Sequence, residues 1–394
     1  MKNIWLKKIC AALALCVMTV SFTGCNGETS GSSDGSSEGE SSTVSEVEEP
    51  AIKVGFIFNG ECDLNGYSAE ANAQRIAASA HTNVQSFFID GVNITDFPEA
   101  VARLEDIGCT YIVSGSWTYQ NMLNDVAGKN MNLNFISHGA RINTMNISAY
   151  TDQMYEGSYV AGMVAAYNSE AEKIGIVVDP NLIYNTAVIN AAALGAQLVY
   201  KDAEMFTAFA TQNDEIHNAV DALKSKGCDV IISYTESPET VSYCDSKGIK
   251  VIGNLDYSKT AADYKNLLMY YYADHDSYYL AQFKMIQLDT WETDAYVGTI
   301  GNGVISISSA LGASKPGTQD IISALVPKLA NGQAYIFSGE LKDNNGNVAL
   351  MQNDQLDTPG IYAMNWYVKG VNTELGTFVI PKTDLIPNDF DIES

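Results

Sequence analysis

Aromatic, amide, hydroxyl and carboxylate side chains recur on loops that directly follow β-rich runs of this sequence. They are Ser116, Trp117, Thr235, Glu236, Asn254 and Asp256. An aromatic face can stack on a flat ligand, and amides, hydroxyls and carboxylates can hydrogen-bond to its edges. A structural role is the alternative, since Trp117 could pack in the core and the segment 235–237 could cap a helix. The residue types therefore indicate either a binding site or ordinary loop packing.

Motifs for nucleophilic, metal or nucleotide chemistry are missing from the sequence after residue 50. That part contains no GxSxG, HExxH or GxxxxGK[ST] pattern, and "GNGVIS" at Gly301 lacks the third glycine of a dinucleotide loop. Asp90 and Asp96 lie six residues apart on one loop, which makes a poor acid–base pair. The histidines are spread singly, without metal-ligand spacing: His81, His138, His217 and His275. We therefore expect a non-enzymatic protein without a metal or cofactor.

Between residues 53 and 254, short β-rich runs alternate with helical patterns. Strands are predicted at 53–58, 84–89, 111–114, 134–137, 147–150, 174–178, 201–206, 230–234 and 251–254. Helices are predicted at 69–79, 97–107, 119–127, 156–167, 186–198, 214–225 and 238–246. This alternation is typical of βαβ units and predicts an α/β fold with parallel sheets. The uninterrupted apolar runs "KIGIVV" and "DVIIS" fit strands that are covered on both faces.

Two segments of the sequence resemble each other. "EDIGCTYIVSGS" and "KSKGCDVIISYT" each read as a helix end, a glycine, a cysteine, a strand and a small polar loop. This echo favours two similarly built α/β lobes. Ligands of such sheets bind beyond the carboxyl ends of the strands, so two facing lobes would form a cleft there.

The N-terminus has the pattern of an exported, lipid-anchored protein. Three lysines precede an apolar run from Ile9 to Phe22, and Thr23-Gly24-Cys25 follows. The run is too short to span a membrane and reads as a signal peptide of residues 1–24. Its ending resembles a bacterial lipoprotein signal, in which Cys25 carries the lipid; an ordinary secretory signal is the alternative. Residues 25–50, rich in Ser, Gly and Glu, read as a disordered tether.

Charge and cysteine content restrict the partners of the folded part. Without the three signal lysines and the seven acidic residues of 26–50, 40 acidic and 19 basic residues remain. Such a surface disfavours nucleic acid and anionic lipid, so we expect membrane contact through the lipid anchor only. The remaining cysteines show no metal-ligand spacing, and buried free thiols are favoured over one or two disulfides: Cys62, Cys109, Cys228 and Cys244.

Several motifs resemble the basic membrane protein family, whose members are substrate-binding lipoproteins of ABC importers. They are "KVGFIFNGECDLNGYSAEANAQR", "YEGSYVAGMVAA" with "EKIGIVVD", "INAAALGAQ", "YTESPETVSYCDSKGIKVIGNLD", and "IFSGELKDNNGNV" with "MNWYVKGV". The resemblance covers most of residues 52–371. It implies a type I periplasmic-binding-protein fold, with two Rossmann-like lobes joined by a hinge. Lobe one would hold 51–152 and about 257–300, and lobe two 153–256 and about 301–394.

The resemblance also implies ligand-binding residues for a purine nucleoside, the ligand of the best-known branch. Tyr67 falls where relatives carry a stacking aromatic, and Asp63 and Asn65 lie on the same loop. Phe209, close to Phe206, falls at the second stacking position, and we expect one of these two to be core. In relatives an Asp at the position of Asp256 binds the ribose hydroxyls.

The sequence departs from the family at two positions. Ala187 stands where many relatives have an Arg, and Tyr184 and Asn185 could substitute for it. His275 and a tyrosine cluster replace a Lys of the nucleoside branch. A free base, a nucleoside with a different edge contact, or another flat heterocycle would therefore all fit.

The predicted function is capture of a purine nucleoside or nucleobase-like ligand in the cleft between the lobes, on the outer face of the cell membrane, followed by delivery to an ABC permease. A lipoprotein that senses the ligand and signals to a membrane partner would have the same fold. A nucleoside-processing enzyme is the third reading.

Overall fold

The computed structural model describes residues 52–63, 65–139, 144–182 and 184–375. The chain divides into two compact units, Met1–Glu49 and Pro50–Ser394. The first unit, with the predicted signal peptide, Cys25 and nearly all of the tether, lies outside the described residues. Within the described ranges, no helix has both the length and the apolar character needed to cross a membrane.

The described part of the second unit contains fifteen β-strands and ten α-helices. The strands are β1 (Ile52–Ile57), β2 (Val84–Ile89), β3 (Tyr111–Ser114), β4 (Asn134–His138), β5 (Ile147–Asp152), β6 (Lys173–Val178), β7 (Glu204–Phe209), β8 (Val230–Tyr234), β9 (Lys250–Gly253), β10 (Leu267–Ala273), β11 (Ala295–Gly298), β12 (Ile305–Ile307), β13 (Leu341–Lys342), β14 (Val348–Leu350) and β15 (Val371–Leu375). The helices are α1 (Tyr67–Ser79), α2 (Phe97–Asp106), α3 (Gln120–Lys129), α4 (Met154–Asn168), α5 (Asn185–Gln197), α6 (Asn213–Ser225), α7 (Glu239–Ser246), α8 (Asp276–Gln287), α9 (Thr318–Ala330) and α10 (Thr358–Tyr362).

Two sheets form the centres of two lobes. The first sheet has the order β11-β5-β4-β3-β1-β2, and all of its strands are parallel. The second has the order β12-β10-β9-β8-β6-β7-β15 and is parallel except for its edge strand β12, which runs antiparallel to β10. Strands β13 and β14 form a separate hairpin. The predicted α/β class with parallel sheets is confirmed.

The chain passes between the lobes three times. It leaves the first sheet after β5 to form α4 and the second sheet up to β10, returns as α8 and β11, and crosses again into β12. Because β10 pairs with β9, residues 267–273 belong to the second sheet, although the expected lobe boundary assigned 257–300 to lobe one. The return to the first lobe therefore begins after Ala273.

Two of the family-like motifs meet at one helix–helix contact of the second lobe. Helix α4 carries "YEGSYVAGMVAA", and α5 carries "INAAALGAQ". A Cβ on Gly162 of α4 would collide with the backbone of Ala192, and one on Gly195 of α5 would collide with the backbone of Tyr159. The small residues of both motifs therefore let the two backbones approach closely. Both helices are almost entirely buried, which explains their lack of a polar face.

The predicted elements up to residue 254 all occur, with one shifted strand. The pattern placed a strand at 201–206, whereas β7 covers Glu204–Phe209. Lys201 and Asp202 are exposed and form the turn after α5, so the extended segment starts later. Phe206 consequently lies within the strand, and Phe209 ends it. The four described cysteines are free: Cys62, Cys109, Cys228 and Cys244.

Candidate functional site

A cavity lies between the two lobes, at the carboxyl ends of both parallel sheets. The space that its residues enclose is about 660 Å³, counting the part that opens to solvent. The described lining residues are Tyr67, Glu70, Ala71, Gln74, Trp117, His138, Asp152, Met154, Leu182, Tyr234, Thr235, Glu236, Asn254, Leu255 and Ala273.

The topology accounts for this location. In the first lobe, Trp117 follows β3, and His138 and Asp152 are the last residues of β4 and β5. In the second lobe, Tyr234 ends β8 and Ala273 ends β10. Parallel strands bring their carboxyl ends to one edge of the sheet, and here the two edges face each other. The remaining lining residues come mainly from the first turns of α1 and from loops after strands.

Hydrogen bonds between the lobes close the cavity. The backbone N–H of Tyr67, at the start of α1, donates to the carbonyl of Glu236 at 3.1 Å. The Asn59 amide donates to the Glu236 carboxyl at 3.2 Å, and the N–H of Asp256 donates to Glu70 Oε1 at 2.8 Å. Gly66 permits this approach: it has a φ of 141°, and a Cβ there would lie 2.6 Å from the Glu236 carbonyl oxygen.

A buried network of hydrogen bonds forms one wall of the cavity. Asp152 lies 2.8 Å from His138 Nε2, and its two oxygens lie 2.9 and 3.0 Å from His275 Nε2. The Tyr67 hydroxyl lies 2.8 Å from His138 Nδ1, and the Tyr67 ring stacks on the His138 ring. All three members of the Asp152 cluster are at least nine-tenths buried. The side chains of His138, Asp152 and His275 could together hold a metal ion, since their ligand atoms lie within 4.8 Å of one another.

The surroundings of His275 show which groups accept hydrogen bonds from its two ring nitrogens. Gln74 donates its amide to the Ala273 carbonyl at 3.1 Å, so its Oε1 faces His275 Nδ1 at 3.2 Å as an acceptor. Asp152 is the acceptor at the other ring nitrogen. Burial alone would raise the pKa of Asp152, but attraction by His275 and His138 outweighs burial and holds that pKa well below its usual range.

Two further carboxyl groups, those of Glu70 and Glu236, face the cavity, and their pKa values are raised where that of Asp152 is lowered. Burial raises the pKa of Glu70 to about 8; the N–H of Asp256 opposes this shift, and the charge of Asp256 adds to it. Burial and then the charge of Asp179 raise the pKa of Glu236 to about 7, against the hydrogen bond from Asn59. Among the described residues, no Lys or Arg lines the cavity to compensate these charges.

The comparisons with known proteins agree with this architecture. The family model "ABC transporter substrate-binding protein PnrA-like" matches residues 51–287. The chain belongs to this family. It is 26% identical over 338 residues to a purine-binding protein of Brucella abortus, a match that covers 83% of this chain and 95% of the relative.

Two further comparisons extend this assignment. A protein of Haloferax volcanii that carries the provisional name of an ABC transporter glucose-binding protein is 24% identical over 235 residues, which are 58% of this chain and 57% of the relative. The structure of an ABC transporter solute-binding protein from Aeropyrum pernix superposes with a TM-score of 0.62 at 14% identity, covering 74% of this chain and 93% of that one. The fold is therefore the type I periplasmic-binding-protein fold.

Five of the residues expected to contact ligand in this family member line the cavity. They are Tyr67, Trp117, Thr235, Glu236 and Asn254. Thr235 and Asn254 use their polar atoms on each other and on the loop. The Asn254 amide donates to the Thr235 carbonyl at 2.9 Å and accepts from its N–H at 3.3 Å, and the Thr235 hydroxyl donates to the Ser237 carbonyl. The two residues therefore form part of the cavity wall, and the polar atoms named here are engaged within the protein.

Three expected residues of the first lobe lie outside the described lining. Ser116 is buried directly before Trp117, and its hydroxyl accepts from the N–H of Thr118, which caps the short helical turn there. Asp63 and Asn65 are exposed on the loop before α1. Their predicted contacts with a ligand remain predictions.

Four expected residues of the second lobe also lie outside the described lining. Tyr184 stacks on Tyr362 with ring centroids 3.8 Å apart, and the Asn185 amide donates to the carbonyls of residues 179 and 180. Phe209 packs beside the core of the second lobe. The Asp256 carboxyl accepts from the N–H and hydroxyl of Ser258.

The site contains four residues that the sequence patterns did not assign to ligand binding: His138, Asp152, Glu70 and Gln74 line the cavity. His275, which stands where the nucleoside branch has a Lys, lies directly behind it. The sequence offered one usable signal, because His138 directly follows the predicted strand 134–137 and Asp152 lies two residues after the predicted strand 147–150. Glu70 and Gln74 lie one turn apart on α1, which places them on the same side as Tyr67.

Proposed function

We propose that this protein captures a purine nucleoside or nucleobase in the cavity between its lobes and delivers it to the permease of an ABC importer. The observation that carries the proposal is the lining itself. Three aromatic side chains, Tyr67, Trp117 and Tyr234, share one enclosed space with carboxyl groups from both lobes. Aromatic faces suit a flat heterocycle, and carboxyl groups suit its N–H and hydroxyl donors. The name of the Brucella abortus relative supports the same ligand class.

Glu70 and Glu236 are the carboxyl groups that we assign to the polar edge of the ligand. Each uses one oxygen for a contact to the other lobe, and the second oxygen of each has no hydrogen-bond partner among the described residues. Asp256 was expected to bind the ribose. Its carboxyl lies outside the described lining and accepts from Ser258, so this role stays a prediction.

The anchoring part of the proposal rests on the sequence around Cys25. A lipid on this residue would hold the protein on the outer face of the cell membrane, within reach of its permease. The variant Cys25→Ser should move the protein from the membrane fraction into the soluble extracytoplasmic fraction. A variant that still sediments with membranes would contradict the lipid anchor and leave the ligand assignment untouched.

The ligand assignment is tested by a thermal-shift screen of purine nucleosides and bases, with glucose included because of the second relative. A ligand at about 100 times its dissociation constant adds roughly 2.7 kcal/mol to stability, which such a screen detects. Titration calorimetry then compares Trp117→Ala with Trp291→Ala. Trp291 packs edge-on against Tyr111 outside the described cavity lining and serves as a matched control.

The expected result is selective loss of affinity in the cavity variant. Removing the Trp117 face forfeits apolar burial and roughly 0.5–1.5 kcal/mol of ring contact, so Trp117→Ala should bind more than tenfold weaker. Trp291→Ala should bind like wild type. A screen in which only glucose stabilises the protein, or a Trp117→Ala variant with full affinity for the purine, would refute the proposal.

A further inference from the structure

His138, Asp152 and His275 converge on one point from three distant parts of the chain. His138 ends β4, Asp152 ends β5, and His275 directly precedes α8. All three are buried, and the relevant nitrogen and oxygen atoms lie within 4.8 Å of one another. Two of the three, His138 and Asp152, also line the cavity. A buried pair of imidazoles and a carboxylate is the donor set that first-row transition metals accept in proteins.

The distances within the group match those of neighbouring metal ligands. Two ligand atoms that each lie about 2.1 Å from a metal at a right angle are about 3.0 Å apart. The observed separations are 2.8 Å between His138 Nε2 and Asp152, and 2.9 and 3.0 Å between His275 Nε2 and the two Asp152 oxygens. The arrangement therefore suits two imidazoles and one carboxylate as ligands of one ion.

The outer partners of both imidazoles supply independent support. A metal-bound imidazole normally donates its other N–H to an oxygen, which fixes the ring. His275 Nδ1 faces Gln74 Oε1 at 3.2 Å, and Gln74 is held in that orientation by its own bond to the Ala273 carbonyl. His138 Nδ1 faces the Tyr67 hydroxyl oxygen at 2.8 Å. Both outer nitrogens thus meet oxygen atoms, and both inner nitrogens face the carboxylate.

The hydrogen-bond geometry of His275 fits the same role. Gln74 Oε1 faces His275 Nδ1, and the Asp152 carboxyl faces Nε2. A neutral imidazole can ligate a metal ion through Nε2 and still donate from Nδ1 to Gln74.

We infer that His138, Asp152 and His275 form a binding site for a divalent first-row transition-metal ion at the wall of the cavity. A metal ion bound there would connect His138 of β4 and Asp152 of β5 to His275, which lies on the segment that returns from the second lobe. The site does not depend on the identity of the organic ligand, and it is tested on ligand-free protein.

The experiment uses the full chain, without an added histidine tag, stripped by a chelator and then titrated with Zn²⁺ alone. Calorimetry and elemental analysis after gel filtration should give about one Zn²⁺ per chain. The variants His275→Gln and Asp152→Asn should each retain at least tenfold less metal. The control His217→Gln removes a half-buried histidine that pairs with Glu239 outside the described cavity lining, and it should bind like wild type.

X-ray absorption of the zinc-loaded wild-type protein gives a readout that needs no variant. We expect a nitrogen and oxygen shell at roughly 2.0–2.1 Å, with the scattering of two imidazoles. Three results would overturn the inference: no stoichiometric Zn²⁺ in the wild type, unchanged Zn²⁺ in both site variants, or a sulfur shell from the cysteines. Purine binding is measured separately, so failure of the metal site leaves the proposed transport function standing.

Discussion

The carboxyl of Glu70 should make the ligand-free protein less stable as the pH rises from 5 to 8. Burial raises the pKa of this group from 4.5 to about 8 in the folded protein. A group that binds its proton more tightly when folded stabilises the folded state below its unfolded pKa, and this contribution is lost as the pH rises through the folded pKa. Glu70→Gln removes the titrating group and keeps an oxygen that can accept from the N–H of Asp256. The variant should therefore be more stable than wild type at high pH.

The size of the effect follows from the two pKa values. At pH 8 the carboxyl is ionised in the unfolded chain and half protonated in the folded protein. Relative to a side chain that stays neutral, Glu70 then lowers the free energy of unfolding by an amount on the order of 4 kcal/mol. At pH 5 the same calculation gives roughly 1 kcal/mol. The groups facing Glu70 are Asp256, whose charge adds to the shift, and Tyr257. The pH dependence should thus be steepest near neutral pH.

Urea unfolding of wild type and Glu70→Gln at pH 5 and pH 8 measures this difference. The exposed Glu292 supplies a matched control, because Glu292→Gln makes the same chemical change outside the described cavity lining. We expect the stability gain of Glu70→Gln to grow by roughly 3 kcal/mol between the two pH values. A gain that is equal at both pH values, or a variant that is less stable than wild type at pH 8, would refute the electrostatic reasoning.

Three further outcomes are expected. In metal-free buffer, Asp152→Asn should lose roughly 3–5 kcal/mol of stability by chemical denaturation, because it removes the buried carboxylate that pairs with His138 and His275; a loss below 1 kcal/mol would contradict this. Tyr67→Ala should weaken purine binding more than tenfold and Phe209→Ala less than twofold by calorimetry, since only Tyr67 lines the cavity; equal losses would favour a stacking role for both rings. Gly66→Ala should increase the radius of gyration of the ligand-free protein in small-angle scattering, because a Cβ would meet the Glu236 carbonyl; an unchanged radius would show that the lobes close without this contact.

The sequence predicted the regular part of the fold because each element carries its own local signal. The two echo segments show how. Gly108 and Gly227 both end a helix with a φ near 90°, and the cysteine after each is buried before the next strand. Such turns need glycine, so they are visible in the sequence. The segment after residue 257 lacked a comparable pattern, and β10 consequently lay outside the predicted strands.

The site was harder to predict because its residues are joined only by the topology. Trp117, Thr235 and Glu236 were found since each follows a recognisable strand. His138, Asp152 and His275 have no local spacing, and their contact depends on the return of the chain from the second lobe after β10. Phe209 ends β7 and packs beside the core of the second lobe, and its expected stacking role, which comes from the family position, stays a prediction.

The same two carboxyl groups connect closure with ligand recognition. Glu70 belongs to the first lobe and accepts from Asp256 of the second, whereas Glu236 belongs to the second and accepts from Asn59 of the first. A ligand shifts the balance between open and closed forms only by the contacts that it makes in one of them. A donor that bonds to the remaining oxygens of both carboxyl groups can do so only when the lobes are together. Its binding energy would therefore stabilise the closed form.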